Sequence, residues 1–412
     1  MHFGIRSISV VEVFFMPSLF DPAAIVDQIR SQSSEIFERI TKTFVGDAEP
    51  LRDGTEFDPV TLPRDLAAHS NVQTEWWYYT GHFSTDTGRE FGFELVFFKR
   101  RTDEDMFAVV PLRLIGNPFY FAHFALTDKI GKSFRYSHRK SANGPLDMPA
   151  SAAETHYYLN VGDWSVRESN GIHILRASLD SGTTFEASLK PEKSVVLNGE
   201  GGVSYKDEGQ ASRYFAYTRM SVDGNLLAKG TSEHFTGSAW MDREFGTWSP
   251  TENQMGWDWF SIQLDNGCEL MCYQLRNGKG EASSYSSGTF VDENGSVTPL
   301  SVVDFTISPI AFWKSPRSEA EYPGLWKIEV PRQGLDLTVT AIVEDQELDT
   351  RGSTMIIYWE GACEVNGSAG GATVSGDAYV ELVGYDRSHE SPNLAYFLVG
   401  NPAELLSIIG IK

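Results

Sequence analysis

Three short segments of this chain set carboxylates among large aromatic rings. They read Thr74-Glu75-Trp76-Trp77-Tyr78-Tyr79, Trp240-Met241-Asp242-Arg243-Glu244-Phe245-Gly246 and Gly256-Trp257-Asp258-Trp259-Phe260. A carboxyl in apolar surroundings has its neutral form favoured, which raises its pKa. Kept protonated near neutrality, it can give a proton to an alkene. Ring faces then stabilise the resulting cation by ~0.5–2 kcal/mol each. The candidate acids are Asp258, Glu75 and Asp242, with Asp258 first. Candidate substrate-binding side chains around them are Trp76, Trp77, Tyr78, His123, Trp240, Arg243, Glu244, Trp257, Trp259, Phe260 and Tyr273.

Strand parity sorts these residues, because alternate side chains of a strand share a face. Asp258, Phe260, Ile262 and Leu264 share one face; Trp257, Trp259, Ser261, Gln263 and Asp265 share the other. The first set is the more apolar, so it is expected to line a barrel interior and to carry Asp258 inward. There Asp258 serves either as a proton donor or as a structural partner of Arg243, since perturbed carboxyls arise both ways. Glu75 shares its face with Trp77 and Tyr79. Asp242 and Glu244 share theirs with Trp240, leaving Arg243 opposite. A buried cation between two acids more often stitches a structure together than does chemistry. His123 alternates with apolar neighbours, and either faces a cavity or sits hydrogen-bonded in the core.

Other signatures are missing. Nothing matches G-x-S-x-G, a phosphate-binding loop or H-E-x-x-H. Gly199-Glu200-Gly201-Gly202 reaches Ser204 where a dinucleotide fingerprint needs its last glycine, and reads as a loop. The nine histidines show no pair at metal-ligand spacing, so no metal and no cofactor are expected. Cys268 and Cys272 lie four apart on one strand face and read as small buried hydrophobes. With Cys363 they are too few for a disulfide scaffold.

The elements that must position these residues are mostly strands. The 412 residues suggest two or three domains of ~150 residues. With 34 basic against 56 acidic residues the net charge is −22, and aromatics make up 13%. Disorder is excluded by the aromatics, and nucleic-acid binding is disfavoured by the charge. From about residue 72 to 385 the pattern is period two. Turn signals fall at Asn266-Gly267, Asn277-Gly278, Asn294-Gly295 and Asn366-Gly367. Expected strands include Glu75–Phe83, Glu90–Phe98, Phe119–Leu126, Trp257–Leu264, Glu269–Arg276, Met355–Val365 and Thr373–Val383; Ser308–Tyr322 reads as a long linker. Strands without alternating long helices argue for an all-β fold of barrels or sandwiches. Two barrels suit the length, with the boundary in the loop Gly246–Gly256.

At the ends, residues 1–16 lack the features of a secretory signal, and no run approaches the ~20 apolar residues needed to cross a bilayer. Asp21-Pro22 opens a helical pattern to about residue 45. Its three acids and three bases favour docking on the body over peripheral membrane contact through 21–45. A second short helix is expected from Pro402. The expected location is cytoplasmic or peripheral to a membrane.

The aromatic–acid segments, with Ala122-His123-Phe124-Ala125-Leu126-Thr127-Asp128, Tyr358-Trp359-Glu360-Gly361 and Tyr379-Val380-Glu381-Leu382, resemble the lipocalin-like AttH / carotenoid 1,2-hydratase family. The likeness runs in order through about residues 57–385. It implies an all-β chain of two successive lipocalin-like (calycin) antiparallel β-barrels with short flanking helices. The expected division is 1–56 leader and docked helix, 57–247 and 248–388 barrels, and 389–412 tail. It also implies a hydrophobic small-molecule substrate (isoprenoid, carotenoid or polyene) and cofactor-free hydration or cyclisation of an alkene, for which Asp258 matches the family's aromatic-flanked aspartate. The competing expectation is a non-catalytic lipid or pigment carrier; hydrolysis ranks last, because no activated nucleophile is visible.

Overall fold

The computed structural model describes residues 51, 59–103, 106–107, 110–114, 116–143, 147–248 and 254–386. The helices expected over 21–45 and from Pro402, and any membrane contact through 21–45, lie outside the described residues. Within them the chain is built almost wholly of antiparallel strands, with three short 3-10 turns. No described helix is long and apolar enough to cross a membrane.

Two large sheets carry the fold. The first wraps thirteen strands into a nearly closed barrel. Its site-bearing strands are β1 (Thr74–Thr85), β2 (Glu90–Arg100), β3 (Phe119–Asp128), β4 (Ser133–Ser141), β5 (Gln210–Ala228) and β6 (Thr231–Gly246), in the spatial order β4-β3-β2-β1-β6-β5. The second sheet has ten strands and curls into a half-barrel. It contains β7 (Gln254–Leu264), β8 (Glu269–Asn277), β9 (Thr306–Lys314), β10 (Glu321–Val330), β11 (Ile357–Ala369) and β12 (Ala372–Val383). The all-β, lipocalin-like expectation is borne out.

Alternation builds both cores. On β1 and β2, Trp77, Tyr79, Phe83, Phe91, Phe93, Leu95 and Phe97 point into the first barrel. Phe260, Ile262, Leu264, Cys272, Trp326 and Trp359 fill the second. The opposite faces of the same strands, which on a lone sheet would meet water, pack against the other sheet. A third cluster joins Tyr78, Val96, Tyr214 and Trp240 of the first sheet to Trp259, Met271, Tyr273 and Leu275 of the second. Both faces of these strands are therefore buried, and the site lies in the seam between the sheets.

Two local expectations change. Ser308–Tyr322 is not a linker: β9 pairs with β10. It is an edge strand, which tolerates Pro309 opposite Trp326 because its outer side has no neighbour, and the register shifts twice around Ala311. Asn366-Gly367 is not a turn but lies inside β11, and the hairpin turns at Gly370-Gly371, with φ of 58° and 84°. Gly367 is there because a Cβ would strike the Asp336 carbonyl of the neighbouring strand.

Candidate functional site

A cavity of about 280 Å³ occupies the seam. The first sheet supplies Trp76 and Tyr78 from β1, Val96 and Phe98 from β2, His123 from β3, Tyr214 from β5, and Asp242 and Glu244 from β6. The second supplies Trp257 and Trp259 from β7, Tyr273 and Leu275 from β8, Tyr358 and Glu360 from β11, and Glu381 from β12. Lys206 and Trp248 complete one end, and Thr354 and Ile356 also contribute.

Asp242 is the acid best placed in this wall. Its side chain shares a face with Trp240 and Glu244, as parity requires. One carboxyl oxygen accepts from Trp240 Nε1 at 2.7 Å and the other from the Tyr214 hydroxyl at 2.5 Å. Tyr214 is held in turn by Trp259 Nε1 at 3.0 Å. These donors are neutral, so nothing directly bonded to Asp242 cancels its charge. Burial, with Glu244 and Glu381 nearby, outweighs the two hydrogen bonds and pushes its pKa up to about 7. Glu244 differs: Ser212 donates to it and Lys206 Nζ lies 2.8 Å away. Lys206 also sits 4.7 Å above the Tyr273 ring.

A second group of acids faces Asp242 from the other sheet. Glu360 and Glu381 stand directly opposite each other on β11 and β12. Glu360 accepts from the Tyr78 hydroxyl at 2.9 Å. Burial raises both acids, helped at Glu360 by the charges of Glu381 and Glu94 and at Glu381, which reaches about 7, by that of Glu244. Glu94 on β2 is raised by burial and by the Glu381 charge, and neither of its carboxyl oxygens meets a hydrogen-bonding partner among the described residues. Burial also keeps the His123 imidazole neutral, its pKa well below the ordinary value. Among the described residues no cluster of His, Cys, Asp or Glu is arranged to hold a metal.

Several expected site residues stand elsewhere. Asp258 does face inward with Phe260, Ile262 and Leu264, but that interior is the core of the half-barrel and not the cavity. Its carboxylate meets Arg276 Nε at 3.0 Å and the Tyr385 hydroxyl at 3.1 Å, so its partner is not Arg243. Phe260 packs on Trp326, with ring centroids 5.5 Å apart. Glu75, Trp77 and Arg243 point into the first barrel. Arg243 Nη2 lies 2.6 Å from Glu75, and its guanidinium stacks 4.0 Å above the Trp77 ring. Lys99 at 2.8 Å and His69 at 3.2 Å from Glu75 complete this buried cluster. These residues are drawn away by alternation: each lies on the core face of its strand.

Trp76, Tyr78, His123, Glu244, Trp257, Trp259 and Tyr273 do line the cavity, while Trp240 supports Asp242 from behind. Sequence reading missed Tyr214, Lys206, Tyr358, Glu360 and Glu381. Tyr358-Trp359-Glu360 and Tyr379-Val380-Glu381 repeat the pattern of an acid beside large rings, and that criterion picks them out. Lys206 carries no such mark.

The sequence model of the AttH-like family matches residues 53–385. Among solved structures, an AttH-like protein from Nitrosomonas europaea is 30% identical, covering 82% of this chain and 100% of its own, with a TM-score of 0.71. Kievitone hydratase from Nectria haematococca is 15% identical, covering 82% of this chain and 96% of its own, with a TM-score of 0.62, a likeness of fold. A search of curated proteins found no match.

Proposed function

This chain belongs to the AttH-like family, and we propose that its inter-sheet cavity binds an alkene-bearing hydrophobic small molecule and hydrates or cyclises it without a cofactor. The observation that carries this reading is Asp242: a buried carboxyl, bonded only by neutral donors, in a wall of aromatic rings. Protonated, Asp242 gives its proton to an alkene carbon and is left as a carboxylate. The cation forms among Trp76, Trp257, Trp259 and Tyr273, whose ring faces favour positive charge. Water attacking the cation and losing a proton gives an alcohol, whereas an internal alkene gives a ring. Kievitone hydratase, by its name, adds water to kievitone, which is the same class of step.

The size supports a bounded substrate. Ligand cavities commonly measure roughly 300–1,000 Å³, and this one lies at the lower edge. It suits the reacting end of an isoprenoid or polyene, with a longer chain left outside.

Mass spectrometry of ligand extracted from purified protein identifies the substrate class, and incubation of that ligand with wild type and Asp242→Asn tests the acid. Product from wild type and none from Asp242→Asn supports the reading. A ligand recovered unchanged from wild type replaces it with a carrier role.

A further inference from the structure

Four side chains form a continuous hydrogen-bonded line from the cavity wall to the surface, crossing between the sheets. The Tyr358 hydroxyl lies 2.6 Å from His123 Nδ1. The other ring nitrogen, Nε2, lies 3.2 Å from Ser353 Oγ, which is 2.7 Å from His138 Nδ1. Tyr358, His123 and Ser353 are buried, and His138 is partly exposed. Every joint spans the seam: the histidines belong to β3 and β4, where they are register partners, Tyr358 lies on β11 of the second sheet, and Ser353 lies in the turn that leads into β11.

The inner end of the line lies near the acids. Tyr358 and Glu360 stand two apart on one face of β11, and Glu360 is opposite Glu381. Glu94, with both oxygens unpartnered, lies near enough to Tyr358 to act on its charge. Glu94 and Glu360 are buried, and Glu94 stands outside the cavity lining, so its protons need a route by which to arrive and leave. Around His138 at the outer end stand Asp180, Asp349, Arg139 and Lys140.

We propose that Tyr358, His123, Ser353 and His138 form a proton relay between the buried carboxyls beside the cavity, Glu94 first among them, and bulk solvent. The relay deepens the proposed function by supplying its proton traffic, and it rests on that reading only for its purpose. A proton taken up at His138 Nε2 releases the one on Nδ1 to Ser353 Oγ. Ser353 passes its own proton to His123 Nε2, His123 passes its Nδ1 proton to the Tyr358 oxygen, and Tyr358 passes its proton toward Glu94, the buried carboxylate whose charge acts on it. Each relay group loses one proton and gains one, so a single charge has moved inward. A neutral imidazole, with one donor and one acceptor nitrogen, suits the middle position. Ser353 must rotate to reload; the Thr350 carbonyl, 3.2 Å from its Oγ, is the alternative acceptor.

The test is the rate at which buried COOH groups become COOD after rapid mixing of the full chain into D₂O, read from the carboxylic C=O band by infrared spectroscopy. Ser353→Ala should slow this exchange at least roughly tenfold, because the remaining route requires local opening, while Ser353→Thr, which keeps a hydroxyl, restores it. His138→Asn, at a partly exposed position, should slow it likewise and serves if Ser353→Ala fails to fold. Unchanged exchange in a folded Ser353→Ala or His138→Asn protein overturns the relay. Exchange does not depend on turnover, so failure of the catalytic reading leaves this result standing, and the converse holds.

Discussion

Asp242 and Asp258 are both buried aspartates beside tryptophans, and they differ in what their oxygens meet. Asp258 faces a guanidinium and Asp242 faces only a phenol and an indole. Burial raises both pKa values, but at Asp258 the Arg276 charge works against it, whereas the neutral donors of Asp242 bond its carboxyl without cancelling its charge. Activity needing its proton should be constant below pH 7 and fall above it, since the acid is lost as pH rises through about 7. A kcat/KM profile measures this, and a flat profile from pH 6 to 9 would sink the assignment. Asp242→Asn should lower turnover by about 10²–10⁴-fold, the usual contribution of a positioned acid. Asp258→Asn strips the carboxylate from Arg276. It should lower Tm, at up to about 3–5 kcal/mol, and leave turnover per folded molecule in place.

At the scale of elements, a bulge in β5 does what regular alternation cannot. The register slips between Tyr217 and Met220, so inward positions change from Phe215 and Tyr217 to Met220, Val222 and Leu226. The two residues in the slip, Thr218 and Arg219, are thereby aimed at Glu269 of the other sheet. The same change of parity hides β5 from a reading of period two. Close approach between sheets is set on β2, where a Cβ on Gly92 would run into the Ala362 side chain on β11. Gly92→Ala should cost about 1–3 kcal/mol, the usual range for overpacking, and denaturant unfolding measures it. Glu75 acts within the first barrel. Burial alone would raise its pKa, but Lys99 and Arg243 hold it well below the usual 4.5. Its stabilising effect is complete above that value and is lost as pH falls through the folded-state pKa. Glu75→Gln should therefore flatten the acid limb of the stability profile.

At the scale of the whole molecule, the two sheets are one unit because charged and polar groups are satisfied across the seam. Glu269 of β8, fully buried, is gripped by Arg219 at 2.6 Å and Lys193 at 2.8 Å. Gln263 donates to the Thr218 and Ala239 carbonyls, and His82 lies 2.9 Å from the Ala378 carbonyl. Glu269→Ala leaves two cations without their shared partner. Calorimetry should show one transition for the wild type and two for this variant, as each sheet keeps its own core. One undivided transition in that variant would mean that apolar packing alone couples the sheets.

The sequence by itself determined most of the strands and turns, the all-β class and the family, because period-two alternation and turn chemistry are local. It also determined which neighbours share a face, placing Asp258 with Phe260 and Asp242 with Trp240. Only the tertiary structure decided what each face meets. A strand buried on both sides has two apolar faces, and alternation cannot say which looks into a barrel and which into the seam. That choice put Asp258 against Arg276, Glu75 against Arg243 and Asp242 in the cavity. It also joined Tyr358 to His123, 235 residues apart, by a contact that exists only once the sheets have closed on each other.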